Sequence, residues 1–337
     1  MKQSNREAGY RIAILSQSPN PAWAANSIQV FRMAEALGRL GHTVTLYAPQ
    51  NHDGPSFQET IGIDPSFAME LSAGGRTRLG VIAAVVQSAL RIRRSDTDII
   101  LSRTPLGSLV LARSKIPMLL EVHALPSLRA RNPSVLRAVA LRLVLLGVSL
   151  SRHRVKIVVL SESARVEARR RRVFGRRQDI GLLPSAGAVP SGTADLRVAR
   201  NRPLLGYFGS NSPGRGRDMV EVLATRLPGF DILVAGSEHP AQGGEAPNLR
   251  CAGRLSHEAA LQRMSECDAL LAPYGDRVTV GSGIDTSRTA SPMKILDYAL
   301  AGRPIFASDV PMVRALIRPD EAFLLPPPEP VLLVDDQ

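Results

Sequence analysis

The chain of 337 residues is poor in several things whose absence narrows its class. It has two cysteines, Cys251 and Cys267, too few for a disulfide framework and without a short metal-ligand spacing, so a reducing compartment is expected. It has no run of 18 apolar residues. The nearest approach, 138–150, is broken by Arg142, so no membrane-spanning segment is expected. The apolar run Ile12–Leu15 is too short for a signal peptide. There is no G-x-x-x-x-G-K-[ST] loop and no G-x-G-x-x-G after an N-terminal strand, which disfavours a P-loop enzyme and weakens a dinucleotide reading. No solenoid-type period is visible.

Lysine is also scarce. Lys2, Lys115, Lys156 and Lys294 are the only four among 42 basic residues, and arginine supplies the rest. The net charge of +12 is equally lopsided in position. Residues 129–177 carry 14 Arg and Lys against Glu162 and Glu167, so this one segment accounts for the whole excess. At 44% hydrophobic and 21% charged residues the chain reads as globular, and its length exceeds what one core usually supports.

Hydrophobic spacing predicts an alternation of strands and helices. Strands are expected over 11–16, 43–47, 98–102, 118–122 and 156–160, with helices over 28–40, 79–91, 135–150 and 163–173. A loop rich in Pro, Ser, Gly and Ala at 184–193 interrupts the rhythm. It resumes with strands at 204–208, 231–235, 269–272 and 304–307, and helices at 219–227, 256–266 and 292–300. Two doubly wound α/β domains follow, with ligands expected at the carboxyl ends of their strands.

Two loops have the chemistry to hold an anion. Ser291 is a good N-cap and Pro292 suits the first helical position, so the helix behind them presents free N–H groups and a positive dipole end. Lys294 adds a cation in the first turn, and Asp297, one turn on, could accept a vicinal diol such as ribose. An ordinary capped helix with a solvated lysine is the competing reading. The second loop, Gly209-Ser210-Asn211-Ser212-Pro213-Gly214-Arg215-Gly216, follows a strand and precedes a helix. Its glycines admit close backbone approach, and Arg215 suits a bidentate phosphate contact.

From about Arg11 to Pro326 the chain resembles the group 1, or family 4, glycosyltransferases of the GT-B fold. The resemblance rests on order as much as on motif. Asn26–Gln29 with Gly41-His42-Thr43-Val44 resembles the family's first helix and second strand. Glu121-Val122-His123 resembles its E-x-H strand end, and Leu183–Gly187 its interdomain loop. Tyr207–Gly216 resembles its Gly-rich loop, and SPMKILDYALAGRPIFASDVP (291–311) resembles an SP-x-K form of its C-terminal motif. The resemblance implies two Rossmann-like domains facing across a cleft: 1–190 on the acceptor side, a linker at 191–203, and 204–337 holding the donor. It implies retaining transfer of a sugar from a nucleotide-diphosphate sugar, which is a co-substrate; no resident cofactor is required and a metal is optional.

Carried over residue by residue, the resemblance places Arg215 at the donor diphosphate and Asp297 at its ribose, with the backbone around Ala290–Met293 facing the diphosphate. His123 falls near the transferred sugar. His123, Arg215 and Lys294 are thus the candidate catalytic residues. Gly209, Ser210, Arg215, Ser291, Met293, Lys294 and Asp297 line the donor, and Trp23 and Asn26 lie on the acceptor side. Three departures stand out. Ser210 occupies the place of the family's arginine, with Lys294 or Arg217 as a substitute. Thr289 occupies the place of the first acid of E-x7-E. The chain also ends soon after Pro326, where family members continue through helices that cross back to the N-terminal domain.

Other features carry weaker signals. Asp96-Thr97-Asp98 spells D-x-D but precedes a strand, the wrong end for a ligand, so a solvated strand start is expected. Glu121 and Glu162 are expected to fix loops, and His42, His239 and His257 to be structural or solvated. The basic segment is either a solvated helix face or a contact with anionic lipid or a phosphorylated lipid-linked acceptor; with Phe174 as the only aromatic in the arginine run, nucleic acid is disfavoured. The expectation is a cytoplasmic glycosyltransferase, peripheral at the inner face of the membrane, using a glycan, lipid-linked or small-molecule acceptor. A catalytically weak GT-B-like protein binding a nucleotide or a partner is the alternative, and a sugar-nucleotide epimerase of similar fold is a weaker third.

Overall fold

The computed structural model describes residues 9–327 apart from 63, 124, 126–134, 151–153, 176–177, 188–199, 237–245, 279–286 and 288–290. Thr289, Ala290, His239, most of the loop 124–133 and the linker residues 191–199 lie outside the described residues. The chain divides into two compact units, Met1–Pro184 and Ser185–Gln337.

Unit 1 runs β1 (Arg11–Leu15), α1 (Ala25–Arg39), β2 (Thr43–Pro49), α2 (Phe57–Ile61), β3 (Ala68–Ser72), α3 (Arg78–Arg94), β4 (Ile99–Ser102), α4 (Pro105–Leu111), β5 (Met118–Val122), α5 (Val135–Ser149), β6 (Val155–Val159), α6 (Glu162–Arg170) and β7 (Ile180–Leu182). Its seven strands form one parallel sheet in the order β3-β2-β1-β4-β5-β6-β7. Because a parallel sheet is covered on both faces, its strands are apolar at nearly every position. β1 shows this directly: Ile12 and Ile14 join Val30, Phe31 and Phe57, whereas Ala13 and Leu15 join Ala89, Leu111 and Leu145 in the core on the other side. Gly41 ends the turn after α1 at φ 85°, a conformation that disfavours any side chain.

Unit 2 runs β8 (Leu204–Phe208), α7 (Arg217–Arg226), β9 (Asp231–Ala235), β10 (Leu249–Cys251), α8 (His257–Ser265), β11 (Ala269–Ala272), α9 (Met293–Leu300), β12 (Ile305–Ser308), α10 (Pro311–Arg314) and β13 (Phe323–Leu325). Six parallel strands lie in the order β10-β9-β8-β11-β12-β13. Each unit therefore has one place where the winding reverses, between β1 and β4 and between β8 and β11. These are the crevices where such sheets bind ligands.

The elements that spacing does not predict are short: α2, β3, α4, β7, β10, α10 and β13 have three to seven residues each. Neither helical nor alternating periodicity can build up over such lengths. Among the described residues no helix is long and apolar enough to cross a membrane.

At the second reversal, β8 and β11 pair only through Ala269–Leu205 and Leu270–Gly206, and beyond that the strands part. The fully buried Tyr298 fills the fork. Its hydroxyl accepts from the N–H of Phe208 at 2.8 Å and donates to the carbonyl of Leu271 at 3.2 Å. Replacement by Phe strands a buried N–H, a loss of about 1–3 kcal/mol. Tyr298→Phe is expected to lower the chemical-denaturation midpoint with an unchanged m-value; an unchanged midpoint would show that the fork closes without the hydroxyl.

Candidate functional site

The loop after β8 is shaped by what its glycines allow. Gly216 is the N-cap of α7 at φ 87°, and a Cβ there would sit 2.0 Å from the carbonyl oxygen of Pro273. Gly214, at φ 76°, lies equally close to the backbone of Arg277, and Gly275 N–H donates to Gly214 O at 3.1 Å. The loops following β8 and β11 thus run backbone against backbone at the reversal, which no side chain at 214 or 216 would permit.

Lys294, on the first turn of α9, points into this junction. Its side chain is buried, with Nζ 4.1 Å from the ring centre of Tyr207 and 4.7 Å from that of Tyr274. It donates to Arg215 O at 3.4 Å, and the Tyr207 hydroxyl donates to the same oxygen at 2.9 Å. The solvated lysine of the competing reading is therefore a buried one. Burial, followed by the neighbouring charge of Arg215, pushes the ammonium well below its usual range. The two aromatic faces offset part of that cost. Burial also pushes the Tyr207 and Tyr274 phenols up.

Among the described residues around the loop after β8 and the start of α9, three buried side-chain atoms have no hydrogen-bond partner: Arg215 Nε, Ser291 Oγ and Asp297 Oδ1. Asp297 is 6% exposed, and its other oxygen, Oδ2, lies 3.3 Å from Nε2 of the buried His257. Unmatched buried groups are costly in a folded chain, and these include a cationic donor and a carboxylate acceptor. Ser291 does not cap α9. The helix begins at Met293, Pro292 occupies the N-cap position, and no side chain bonds the first turn. The serine hydroxyl and the backbone at the helix start are thereby left available together. Ser210 is exposed, with its hydroxyl donating to Ser212 Oγ. Gly209 passes beside Lys294, since a Cβ on it would meet Nζ at 3.0 Å. Arg217 is engaged elsewhere: it is buried and pairs with Glu221 at 2.8 Å and Cys251 Sγ at 3.4 Å.

Unit 1 builds a second cluster at its own reversal. Arg103 follows β4 directly, and its backbone N–H still reaches Leu15 O of β1 at 2.9 Å. Its guanidinium is buried. It donates to Asn26 O at 3.1 Å and Gln29 Oε1 at 2.6 Å on α1, and lies 2.7–2.9 Å from His123 Nε2. His123 Nε2 is also 2.7 Å from Glu121 Oε1, which is 3.6 Å from Arg103. Burial pushes the Glu121 carboxyl up, but the bond to His123 and the charge of Arg103 outweigh it and hold it below the usual carboxylate range. Asn26 also bonds Ser18 through its side chain, and Trp23 is half-buried just before α1. Sequence reasoning overlooked Arg103. The readable signal was a charged residue at a strand end, immediately before the Thr104-Pro105 helix start, where Thr104 does cap α4.

The remaining features resolve simply. Asp96 and Asp98 are both paired with Arg11 at the amino ends of β1 and β4. In the basic segment, Glu167 is clamped by Arg170 and Arg171 and its carboxyl falls to about 2, while Glu162 pairs with Arg165.

Residues 27–186 match the sequence model of Glycosyltransferase Family 4. Among solved structures, a sucrose-phosphate synthase from Thermosynechococcus elongatus aligns with a TM-score of 0.68 at 17% identity, covering 94% of this chain and 86% of its own. HepE from Anabaena, solved with UDP and glucose, gives 0.66 at 17% identity over 94% and 86%. A UDP-forming α,α-trehalose-phosphate synthase from Burkholderia xenovorans, solved with glucose-6-phosphate, gives 0.64 at 11% identity over 95% and 89%. No curated protein matches the chain. The resemblance to family 4 glycosyltransferases is thus matched over residues 27–186, and the two parallel-sheet units have the fold of GT-B proteins.

The buried lysine yields a signed prediction. In the unfolded chain Lys294 is charged below about 10.5, whereas the folded site disfavours the charge, so its cost to stability grows as pH falls from that value. Lys294→Met should raise the melting temperature, by roughly 2–4 °C for about 1 kcal/mol relieved. The gap over the parent should widen between pH 10 and pH 7 in thermal scans, and a constant gap contradicts the desolvated lysine.

Proposed function

We propose that the protein is a retaining glycosyltransferase that moves a sugar from a nucleotide-diphosphate donor to a glycan, lipid-linked or small-molecule acceptor. The observation that carries this reading is the set of unmatched polar groups around the reversal of unit 2. Arg215 Nε and Lys294 suit a diphosphate, and Ser291 Oγ with the start of α9 adds donors for its oxygens. Asp297 Oδ1 suits a ribose hydroxyl. HepE, of similar fold, was solved with UDP and glucose.

The chemistry follows from charge. Breaking the bond between sugar and diphosphate leaves negative charge on the departing phosphate, and fixed cations and N–H donors in a desolvated site stabilise it more than water does. Arg215 and Lys294 supply the cations. A proton taken up by Lys294 as the anion enters would restore its charge where that charge acts. Asp297 orients the nucleoside, with Gly209 and Met293 presenting backbone beside it. In unit 1, His123 is the residue that the family resemblance assigns to the transferred sugar, and Trp23 and Asn26 are assigned to the acceptor. Retention of anomeric configuration is the outcome that the family resemblance implies.

The engagement of Arg217 with Glu221, together with Ser210 in the Gly-rich loop, favours one alternative: a GT-B-like protein that binds a nucleotide with little turnover. Incubation with a panel of nucleotide sugars and cell-envelope acceptors, following release of nucleoside diphosphate, separates the two. Turnover that Arg215→Ala and Asp297→Ala each reduce at least a hundredfold, with unchanged circular dichroism, is the expected result. Binding without turnover selects the alternative, and full activity in both variants removes the donor site from these residues.

We also read the basic segment as a peripheral contact with an anionic membrane at the cytoplasmic face. It combines arginines on α6 with exposed Val139, Leu143, Leu150 and Val166. Apolar insertion and headgroup attraction together give reversible binding. Vesicles containing phosphatidylserine should float the protein at low salt and release it as ionic strength rises. Equal flotation with neutral vesicles would contradict the charge account.

A further inference from the structure

The carboxylate of Asp297 is held at one oxygen and left open at the other. Oδ2 lies 3.3 Å from Nε2 of His257, whereas Oδ1 is buried and has no hydrogen-bond partner among the described residues. An ionised carboxylate only accepts, so the proton of the bond to Oδ2 is carried by Nε2 of the ring. The two side chains are 8% and 9% exposed, so water does not replace this bond. Rotation of the Asp297 carboxyl would cost Oδ2 its donor, and holding Oδ2 therefore also fixes where Oδ1 points.

The place of His257 is built by the fold. It is the first residue of α8, whose N-cap Ser256 accepts from the N–H of Ala259 at 3.2 Å. The loop that leads to it leaves the carboxyl end of β10, an edge strand of the sheet. Glycines bring that loop against its neighbours. Gly236, at φ 110° after β9, donates its N–H to Gly253 O at 2.8 Å, and a Cβ on it would sit 2.6 Å from Gly209 O. The loops after β8, β9 and β10 thus meet through backbone, and from the third of them the ring reaches α9. There Lys294 and Asp297, three residues apart, share one face of the helix. A histidine expected from sequence to be structural or solvated lies against the acid proposed to hold the ribose.

We propose that His257 is a positioning residue for the donor nucleoside: by holding Oδ2 of Asp297 it presents Oδ1 to a ribose hydroxyl, and so makes the site prefer ribonucleotides to their deoxy forms. The assignment rests on the glycosyltransferase reading, in which Asp297 meets the ribose. The ring acts through Asp297 and touches no reacting atom. A buried acceptor built to receive a hydroxyl discriminates against a ligand that lacks it, because the acceptor then stays desolvated and unmatched. Without His257 the carboxylate is free to turn, and that preference fades.

The test is isothermal titration calorimetry of the full chain with UDP, GDP and ADP, each beside its 2′-deoxy and 3′-deoxy counterpart. For the nucleotide that binds best, loss of one of the two hydroxyls should weaken binding to the wild type by about tenfold to a hundredfold. His257→Leu should bring the ribo and deoxy affinities close together. His257→Gln, whose amide can still donate to Oδ2, should keep most of the difference. In Asp297→Ala the difference should already be small, and adding His257→Leu should not change it further. Circular dichroism and melting curves establish that the variants are folded. A merely structural role would weaken ribo and deoxy ligands alike and leave their ratio as it was, so an unchanged ratio in His257→Leu overturns the proposal. A ratio lost equally in His257→Gln also overturns it, as does a wild type that binds a nucleoside diphosphate with no ribose preference; the donor site itself survives both results. If none of the three ribonucleotides binds, the proposal fails together with the donor reading, whose own test is release of nucleoside diphosphate from a nucleotide sugar.

Discussion

In a parallel sheet wound in two directions, the two central strands part at their carboxyl ends because their following loops leave in opposite directions. Everything chemical in this protein is arranged around that fork, which occurs once in each unit. The fork exposes backbone groups that the sheet no longer satisfies, and unit 2 meets this with a side chain from elsewhere. In unit 2 the Tyr298 hydroxyl bridges Phe208 and Leu271, and Lys294, one turn earlier on the same helix, enters the space above. In unit 1 the backbone of Arg103 remains paired with Leu15 while its side chain crosses to α1 and His123. The packing problem and the proposed binding site thus coincide, and residues there have both structural and chemical consequences.

That overlap creates a conflict at Lys294. A buried ammonium with another cation beside it works against folding, and a hydrophobic side chain of similar length would fit the aromatic surroundings better. The unmatched Arg215 Nε, Ser291 Oγ and Asp297 Oδ1 point the same way. A unit selected only for stability would pair or remove such groups, whereas a site that must receive a charged ligand keeps them ready.

Much of this was legible in the sequence, for identifiable reasons. Long elements such as α1 and α3, and both-faces-buried strands such as β5, β8 and β11, announce themselves through periodicity or continuous apolar runs. The proximity of the Gly-rich loop to Lys294 followed from strand-end logic and family resemblance. What the sequence did not disclose depends on distance across the fold. Nothing near Lys294 in the chain says that Tyr207 and Tyr274 enclose it. Ser291 reads as a helix cap, yet the helix starts two residues later and leaves the hydroxyl unused. Arg103 is separated from Gln29 by 74 positions, so its role in holding the E-x-H pair appears only once α1, β4 and β5 are side by side. Arg217, read as a spare phosphate cation, turns to Glu221 one helical turn away, a pairing that i,i+4 spacing could have suggested.

The desolvated lysine also bears on how an anion arrives. A lysine pushed toward its neutral form adds little to the electric field in solution, even in a chain with a net charge of +12. Long-range attraction then has to come from the arginines, which are never neutral and whose pull fades within about 10 Å at moderate salt. Under the proposed donor site, capture and retention fall to different residues: the arginines govern how often an anion meets the protein, and the enclosed lysine governs how long it stays.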